Sequence, residues 1–250
     1  MSSAAISFIV FASLFGGVLA GILLRRSLPQ HHLSADSQDT VKLGMALVST
    51  MSALVLGLLV SSAKSFFDTQ SAELNQMSAD VVVLDRLLAH YGPETKEARE
   101  ELRVDVIRNL DRIWPQERTR SSEEPASDKP GGFLDAIEAL SPKDDMQRSL
   151  GAQALNIAVS VGRMRWLMYE QSNVSFSRTL LVVLVFWLIL VFISFGLFAP
   201  RNATAIASLF AAALAVSGAI FLILEMYAPF SGVIQISSAP LRSALAHLGY

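Results

Sequence analysis

The chain has no cysteine among its 250 residues. Without thiols there is no disulfide framework, no thiolate nucleophile, no iron–sulfur cluster and no cysteine-ligated zinc. Charge is also scarce, because 17% of the residues are charged, against about 25% in a typical soluble domain. The net charge of −2 gives no basic face for nucleic acid. Hydrophobic residues make up 52% of the chain, and a lipid bilayer is the environment that accounts for them.

Signatures of catalysis are missing as well. The sequence has no glycine pattern of the Rossmann or Walker type. Its acids and bases interleave as they do on solvated helix faces, so no catalytic pair stands out. Examples are Glu97, Glu100, Glu101, Arg103 and Asp105. We therefore expect neither enzymatic activity nor a cofactor.

One cluster resembles a metal or proton site. His31 and His32 precede Asp36 and Asp39 in the polar stretch after the first apolar segment. Their spacing matches no zinc signature, and a hydrated loop is the simpler interpretation. We expect no metal there.

Four apolar segments have the length of about 20 residues that a helix needs to cross a bilayer. They occupy residues 5–24, 43–63, 179–199 and 203–224. The first could instead be a cleaved signal peptide, but the pair Arg25 and Arg26 follows it and no positive charge precedes it, which reverses the usual order. We expect four spans in two hairpins.

The segment between the hairpins, residues 64–178, holds 15 Lys or Arg against 19 Asp or Glu. Apolar residues at steps of three and four predict that spans two and three leave the membrane as long helices that pack together. The two apolar seams are Leu74, Met77, Val81, Leu84, Leu88 and Tyr91, and Leu150, Ala154, Ile157, Val161, Met164 and Met168. Gly92-Pro93 should end the first helix. We expect Trp114 and Trp166 to be packing residues and residues 116–132 to form a mobile loop.

The predicted fold is therefore all-α and membrane-integral, with long helices that extend from the spans into a helical extramembrane domain. Its parts are a first hairpin at 1–63, the charged domain at 64–178, a second hairpin at 179–224 and a membrane exit with a short amphipathic helix at 225–250. The orientation stays open. Cations of the short loops favour a cytoplasmic position for those loops, but cations at the membrane ends of the charged domain balance them. The two sets are Arg25, Arg26, Lys42 and Arg201, and Lys64, Arg163, Arg165 and Arg178.

Small residues form stripes on two of the spans. They are Gly17 and Gly21 on the first, and Ala207, Ala211 and Ala215 on the fourth. In lipid such stripes let helix backbones approach closely. Packing within one subunit is the first interpretation, and packing between subunits is the alternative.

Hydroxyl groups are concentrated in the second span. The pore-lining candidates are Ser49, Thr50, Ser52 and Ser61, with Phe66 and Phe67 at the mouth. Hydroxyls that several copies present to a common axis can replace the hydration shell of an ion. The alternative is that they bond back to their own helix.

The end of span four carries an acid followed by turn residues, Glu225, Pro229, Phe230 and Gly232. An acid in lipid is costly and usually functional, unless it reaches headgroup water. The proline and the glycine predict a sharp exit from the membrane. Beyond it, a short apolar face suits a membrane surface or a neighbouring helix; it consists of Leu241, Ala244, Leu245 and Leu248.

Six phrases, in order, cover nearly the whole chain: LLRRSLPQHHLS, LVLGLLVSSAKSFFDTQSAEL, LDRLLAHYGPE, RIWP, PRNAT and LEMYAPFSGVIQISSAPLRSAL. Together they resemble a bacterial family of four-span membrane proteins that is described as bestrophin-like. The family's exit typically reads Glu-Leu-Asp-x-Pro-Phe-x-Gly. Here Tyr227 stands in the place of the Asp, so the resemblance carries no second acid over to this exit.

The resemblance implies an oligomeric anion channel in a bacterial inner membrane, with a pore at the symmetry axis lined by span two. Its expected partners are the lipid bilayer, further copies of the chain and an ion. The resemblance also implies a cytoplasmic domain, which disagrees with the charges of the short loops. The other hypothesis is a non-conducting scaffold or sensor whose two apolar seams carry a partner.

Overall fold

The computed structural model describes residues 2–29, 35–115, 132–171, 178–200 and 202–248. These residues form eight α-helices and no strand. The helices are α1 (Ser3–Ser27), α2 (Ala35–Tyr91), α3 (Lys96–Ile113), α4 (Gly132–Glu138), α5 (Asp145–Gln171), α6 (Arg178–Phe198), α7 (Ala203–Met226) and α8 (Ala239–His247). The predicted all-α class is confirmed. Four helices, α1, α2, α6 and α7, are long and apolar enough to cross a membrane.

Helix α2 is continuous over 57 residues, from the second span into the charged segment. It ends at the predicted place, because Gly92 has a φ of 136°, a backbone conformation that favours glycine. Pro93 then opens a short 3₁₀ turn. Two other expectations lie outside the described residues: the continuation of the second seam into span three, at 172–177, and the predicted loop, at 116–131.

The chain divides into two compact units. The membrane unit consists of Met1–Phe67 and Ser175–Ile234, and the helical unit consists of Asp68–Val174 and Gln235–Tyr250. Helix α2 begins in the first unit and ends in the second. The predicted C-terminal segment is divided between them, since residues up to 234 group with the spans.

The core of the membrane unit draws on all four spans, and α1 packs on both α6 and α7. Its buried residues are Val10, Leu14, Val18, Leu59, Ala63, Leu184, Leu188, Phe192, Ala213, Ile220 and Ile223. Phe11 and Phe15 of α1 also contact the ring of Phe210 edge-on, at centroid distances of 5.2 and 5.4 Å. Because lipid is as apolar as these side chains, close packing rather than exclusion of water stabilises this core.

Two glycines let α1 and α6 touch. A Cβ at Gly21 would overlap the backbone of Ile193, and a Cβ at Gly196 would overlap the carbonyl of Val18. Gly17, one turn before Gly21, also faces α6. The backbones therefore approach closely enough to gain van der Waals contact that larger residues would prevent.

The end of α1 lies beside the end of α6 in the membrane unit. Arg25, near the end of α1, donates from Nη1 to the carbonyl oxygen of Ala199 at 2.8 Å, just after α6 ends. The side-chain oxygen of Asn202 then accepts an N–H from the first turn of α7, which is a usual N-cap. Helix α7 returns to the opposite end, where the hydroxyl of Tyr227 lies 3.0 Å from that of Ser62 on α2.

The helical unit buries the first predicted seam completely. All six of its residues, from Leu74 to Tyr91, are at most 4% exposed. In the second seam, on α5, Ala154 and Val161 are buried, and Leu150, Ile157 and Met164 are partly buried. The side chain of Met168 lies outside the described residues. The apolar periodicity of α2 therefore faces the core of its own chain.

Two buried carboxylates join helices within this unit. Asp85 of α2 accepts hydrogen bonds from Nε and Nη2 of Arg99 on α3, at 2.7 and 3.0 Å, and this carboxylate raises the pKa of Arg99. Asp105 of α3 is 4% exposed and accepts two bonds from Nη1 of Arg165 on α5, at 2.7 and 2.8 Å. The prediction of a solvated face is wrong for Asp105, because the arginine of α5 compensates its burial.

The two tryptophans that were predicted to be packing residues, Trp114 and Trp166, differ. Trp114 is buried, as expected, and its Nε1 donates to the carbonyl oxygen of Ile236 at 3.0 Å. Trp166 is 65% exposed, so it does not belong to the core of the described residues. The apolar face of α8 packs on α3, with Leu241, Ala244 and Leu248 buried.

Candidate functional site

One face of α2 in the membrane unit is exposed along its whole length. We call it the α2 stripe; it consists of Leu43, Leu47, Thr50, Leu54, Leu58 and Ser61. The four leucines are between 65% and 75% exposed. Their steps of three and four residues place all six side chains on one side of the helix. Among the four apolar helices, the apolar part of α2 also has the smallest buried fraction.

The predicted hydroxyl groups do not share one face. Thr50 and Ser61 belong to the α2 stripe, and Thr50 donates to the carbonyl oxygen of Ala46 at 2.9 Å. Ser52 is 2% exposed and donates to the carbonyl oxygen of Val48 at 2.8 Å. Ser49 is partly buried on the side of α2 that faces α6 and α7. The exposed face therefore contains two of the four predicted hydroxyls.

The predicted aromatic pair at the end of the second span, Phe66 and Phe67, has two different environments. The ring of Phe66 stacks on that of Tyr227, with centroids 5.3 Å apart and planes 29° from parallel. Phe67 is partly buried. Tyr227 therefore holds α2 to the end of α7 through the ring of Phe66 and the hydroxyl of Ser62.

The acid at the membrane exit has a local partner. Glu225 is 4% exposed, and its Oε2 accepts the backbone N–H of Val233 and, at 3.4 Å, that of Ile234. Gly232 has a φ of 103°, and a Cβ there would overlap the carboxylate of Glu225. Pro229 is buried and Phe230 partly buried. The acid and the glycine thus form one turn, in which the carboxylate caps the chain that leaves the membrane unit.

The alanine stripe of α7 lies on the exposed side of that helix, because Ala207, Ala211 and Ala215 are all exposed. The buried face of α7 carries Ala213 and Ser217 instead. Within the described residues, the packing of α7 on α1 therefore does not come from the predicted alanines. Contact between copies of the chain remains a prediction for them.

The histidine cluster is only partly described. His31 and His32 lie outside the described residues, as does the side chain of Asp36. Asp39 is exposed and pairs with Lys42, Oδ1 to Nζ, at 3.2 Å. Over the described part of the chain, no group of three or more metal-ligating side chains comes together.

A family model described as Bestrophin-like domain matches residues 12–241 of the chain. The chain belongs to the bestrophin-like family. No curated protein matches it, and neither does a solved structure. The bestrophin-like match begins within α1 and ends in α8. It includes the α2 stripe and the capped exit turn.

Membership of the bestrophin-like family indicates a function related to ion channels, and the four apolar helices indicate a multi-pass membrane protein. The local geometry explains why Glu225 and Gly232 occur together at the membrane exit. The carboxylate of Glu225 occupies the space that a Cβ at position 232 would fill. Tyr227 contacts α2 through its ring and its hydroxyl.

Sequence reasoning missed two features of this bestrophin-like chain. The leucines of the α2 stripe have the same helical spacing as Thr50 and Ser61, so the pattern was readable, but an apolar face in a span carries no signal of its own. Gly196 was missed because it has no partner glycine at four-residue spacing in α6. Its role follows only from the helix that lies opposite.

Proposed function

We propose that the protein is a homo-oligomeric, anion-conducting channel of a bacterial inner membrane, in which the α2 stripe of each copy lines a common axis. Four helices of one chain are too few to surround a wide hydrated path, so the conduit forms between subunits. Membership of the bestrophin-like family supports a channel-related function. The exposure of the α2 stripe carries the proposal, since this face is available to other copies.

The chemistry of the α2 stripe determines the kind of pore. Leu54 and Leu58 from several copies form a narrow apolar constriction, which gates by losing its water. Thr50 and Ser61 flank this constriction on either side and provide polar rings. Lys64 is exposed just beyond Ser61, and a ring of lysines at a pore mouth favours anions.

The first test uses the absence of native cysteine, which makes every introduced thiol unique. Leu54→Cys should form a disulfide between neighbouring copies under mild oxidation, because residues near a symmetry axis approach their own equivalents. The matched control is Val182→Cys on α6, which is 66% exposed but belongs to another span. Equal cross-linking at both positions, or cross-linking at position 182 alone, contradicts the proposed axis.

The second test measures conduction. Vesicles that contain the protein and a chloride-sensitive dye should report chloride entry, and Leu54→Asn should increase the rate because a polar ring removes the dewetting barrier. The same change at Val182 should leave the rate unchanged. Vesicles that stay tight to chloride, with the oligomer demonstrably inserted, refute the channel.

The rival function is a non-conducting scaffold or sensor that holds a partner through the two seams of the helical unit. One observation weighs against it. Leu84 is fully buried and Val161 is 4% exposed, so these seams already pack within one chain. Polar substitutions there should destabilise the helical unit rather than release a partner selectively. Partner capture that is lost while the thermal stability is unchanged would favour the scaffold.

A further inference from the structure

The membrane unit contains a cleft between α2, α6 and α7, of about 630 Å³. Its wall consists mainly of apolar side chains, among them Met45, Phe195, Phe198 and Leu209. This volume is in the range of small-molecule sites, roughly 300 to 1,000 Å³. The cleft does not include the exposed leucines of the α2 stripe, so it is a separate feature of the unit.

The cleft has a polar end and an apolar depth. Lys42 lines it at the start of α2, and Ser49 lines it two turns further on. Seven residues at about 1.5 Å each give a depth of roughly 10 Å. Half of a hydrocarbon core of about 30 Å is roughly 15 Å. A cleft of this depth therefore fits the upper part of one leaflet.

The mouth is positively charged. Arg25 donates to the carbonyl oxygen of Ala199, which is itself part of the cleft wall, and Lys42 lines the same cleft. The acid that faces Lys42 is Asp39, and both partners of this ion pair are more than half exposed. Exposed pairs of this kind are weak, so Lys42 can exchange Asp39 for a phosphate.

Polar groups continue below the mouth. Ser194 is 8% exposed and lines the cleft, and its hydroxyl has no hydrogen-bond partner among the described residues. In lipid a hydroxyl without a partner is unfavourable. An ester oxygen supplied from the mouth can accept its hydrogen bond.

We propose that this cleft binds one anionic glycerophospholipid per chain, with the phosphate at Lys42 and Arg25 and an acyl chain against Phe195, Phe198 and Leu209. Three properties of the cleft match this ligand: a cationic mouth, a hydroxyl below it and an apolar wall that follows. Because the wall belongs to a unit whose spans cross the bilayer, lipid is the medium from which the occupant comes. This inference does not depend on conduction.

The test is native mass spectrometry of the full chain in detergent, titrated with phosphatidylglycerol or phosphatidylcholine. The wild type should bind one phosphatidylglycerol per chain more tightly than phosphatidylcholine. Lys42→Gln should weaken phosphatidylglycerol binding about fivefold, which is the effect of one cation near a membrane surface. Ala46→Phe, which fills the cleft, should abolish it. The matched controls are Arg26→Gln and Ala20→Phe, at exposed positions of α1.

Circular dichroism and the oligomer mass of each variant separate binding from folding and assembly. Equal binding of the two lipids, or a stoichiometry that Ala46→Phe leaves unchanged in a folded protein, overturns the proposal. Loss of the oligomer in Ala46→Phe, with lipid still bound to the separated chains, also overturns it. In that case the cleft is a contact between copies.

Discussion

The carboxylate at the membrane exit allows a quantitative prediction. Glu225→Ala removes one charge-assisted hydrogen bond to the amide of Val233, and bonds to charged groups contribute about 1.5–3 kcal/mol. The bond to Ile234, at 3.4 Å, is too long to add much. The side chain of Val233 is 80% exposed, so water reaches this turn and limits the penalty. We expect a loss of about 2 kcal/mol, or about 4–8 °C in Tm for a chain of this size.

The assay is thermal unfolding in detergent, followed by the fluorescence of the three tryptophans. Glu225→Gln keeps a neutral acceptor and should lose about 1 kcal/mol. Gly232→Ala should resemble Glu225→Ala, because its Cβ displaces the same carboxylate. Glu138→Ala, at an exposed position of α4, is the control and should change stability by less than about 0.5 kcal/mol. A Tm of Glu225→Ala equal to that of the wild type refutes the capped turn.

Three further changes test the packing of the two units in the same assay. Gly196→Ala should destabilise by about 3 kcal/mol, because its Cβ meets the backbone of Val18, which cannot move aside as a side chain can. Asp105→Asn should cost about 2 kcal/mol, below the usual 3–5 for a broken buried pair, since Arg165 is 27% exposed. Tyr91→Phe should stay within about 0.5 kcal/mol of the wild type or gain stability, because this buried hydroxyl has no partner among the described residues.

Each of these changes has a matched control. A Cβ at Gly16 would meet no atom within 4 Å. If Gly16→Ala lowers the stability as much as Gly196→Ala does, the effect comes from replacing a helical glycine and not from the contact between α1 and α6. Asp135→Asn alters an exposed acid and should be neutral. Thr95→Val removes a buried hydroxyl that donates to the carbonyl oxygen of Leu88 at 2.6 Å. If Thr95→Val changes the stability as little as Tyr91→Phe does, buried hydrogen bonds do not stabilise this region.

Much of the architecture was readable from local patterns. The four apolar runs predicted the four spans, because the thickness of the bilayer sets their length. The steps of three and four from Leu74 to Tyr91 indicated a buried helix face, and all of those residues are buried. Gly92-Pro93 ended the helix as expected, since backbone conformation is a local property. These features depend on residues that are close together in the chain.

The candidate site was less predictable, because its residues depend on neighbours that are distant in sequence. Ser52 and Ser61 look alike in the sequence, yet one is covered and the other exposed. Helical spacing separates them into two faces, but it does not reveal which face the other spans cover. Asp105 resembled its solvated neighbours for the same reason, until the position of Arg165 gave it a buried partner.

The sequence by itself determined the membrane class, the helical content, the ends of α2 and the family, all of which follow from composition, periodicity and ordered phrases. Tertiary structure decided that Glu225 caps the turn at Gly232, that Gly21 and Gly196 bring α1 against α6, and that a mainly apolar cleft opens beside Lys42. The physical reason is that a hydrogen bond or a van der Waals contact needs two partners. Helical periodicity gives the direction of a side chain relative to its own helix, whereas packing supplies the second partner.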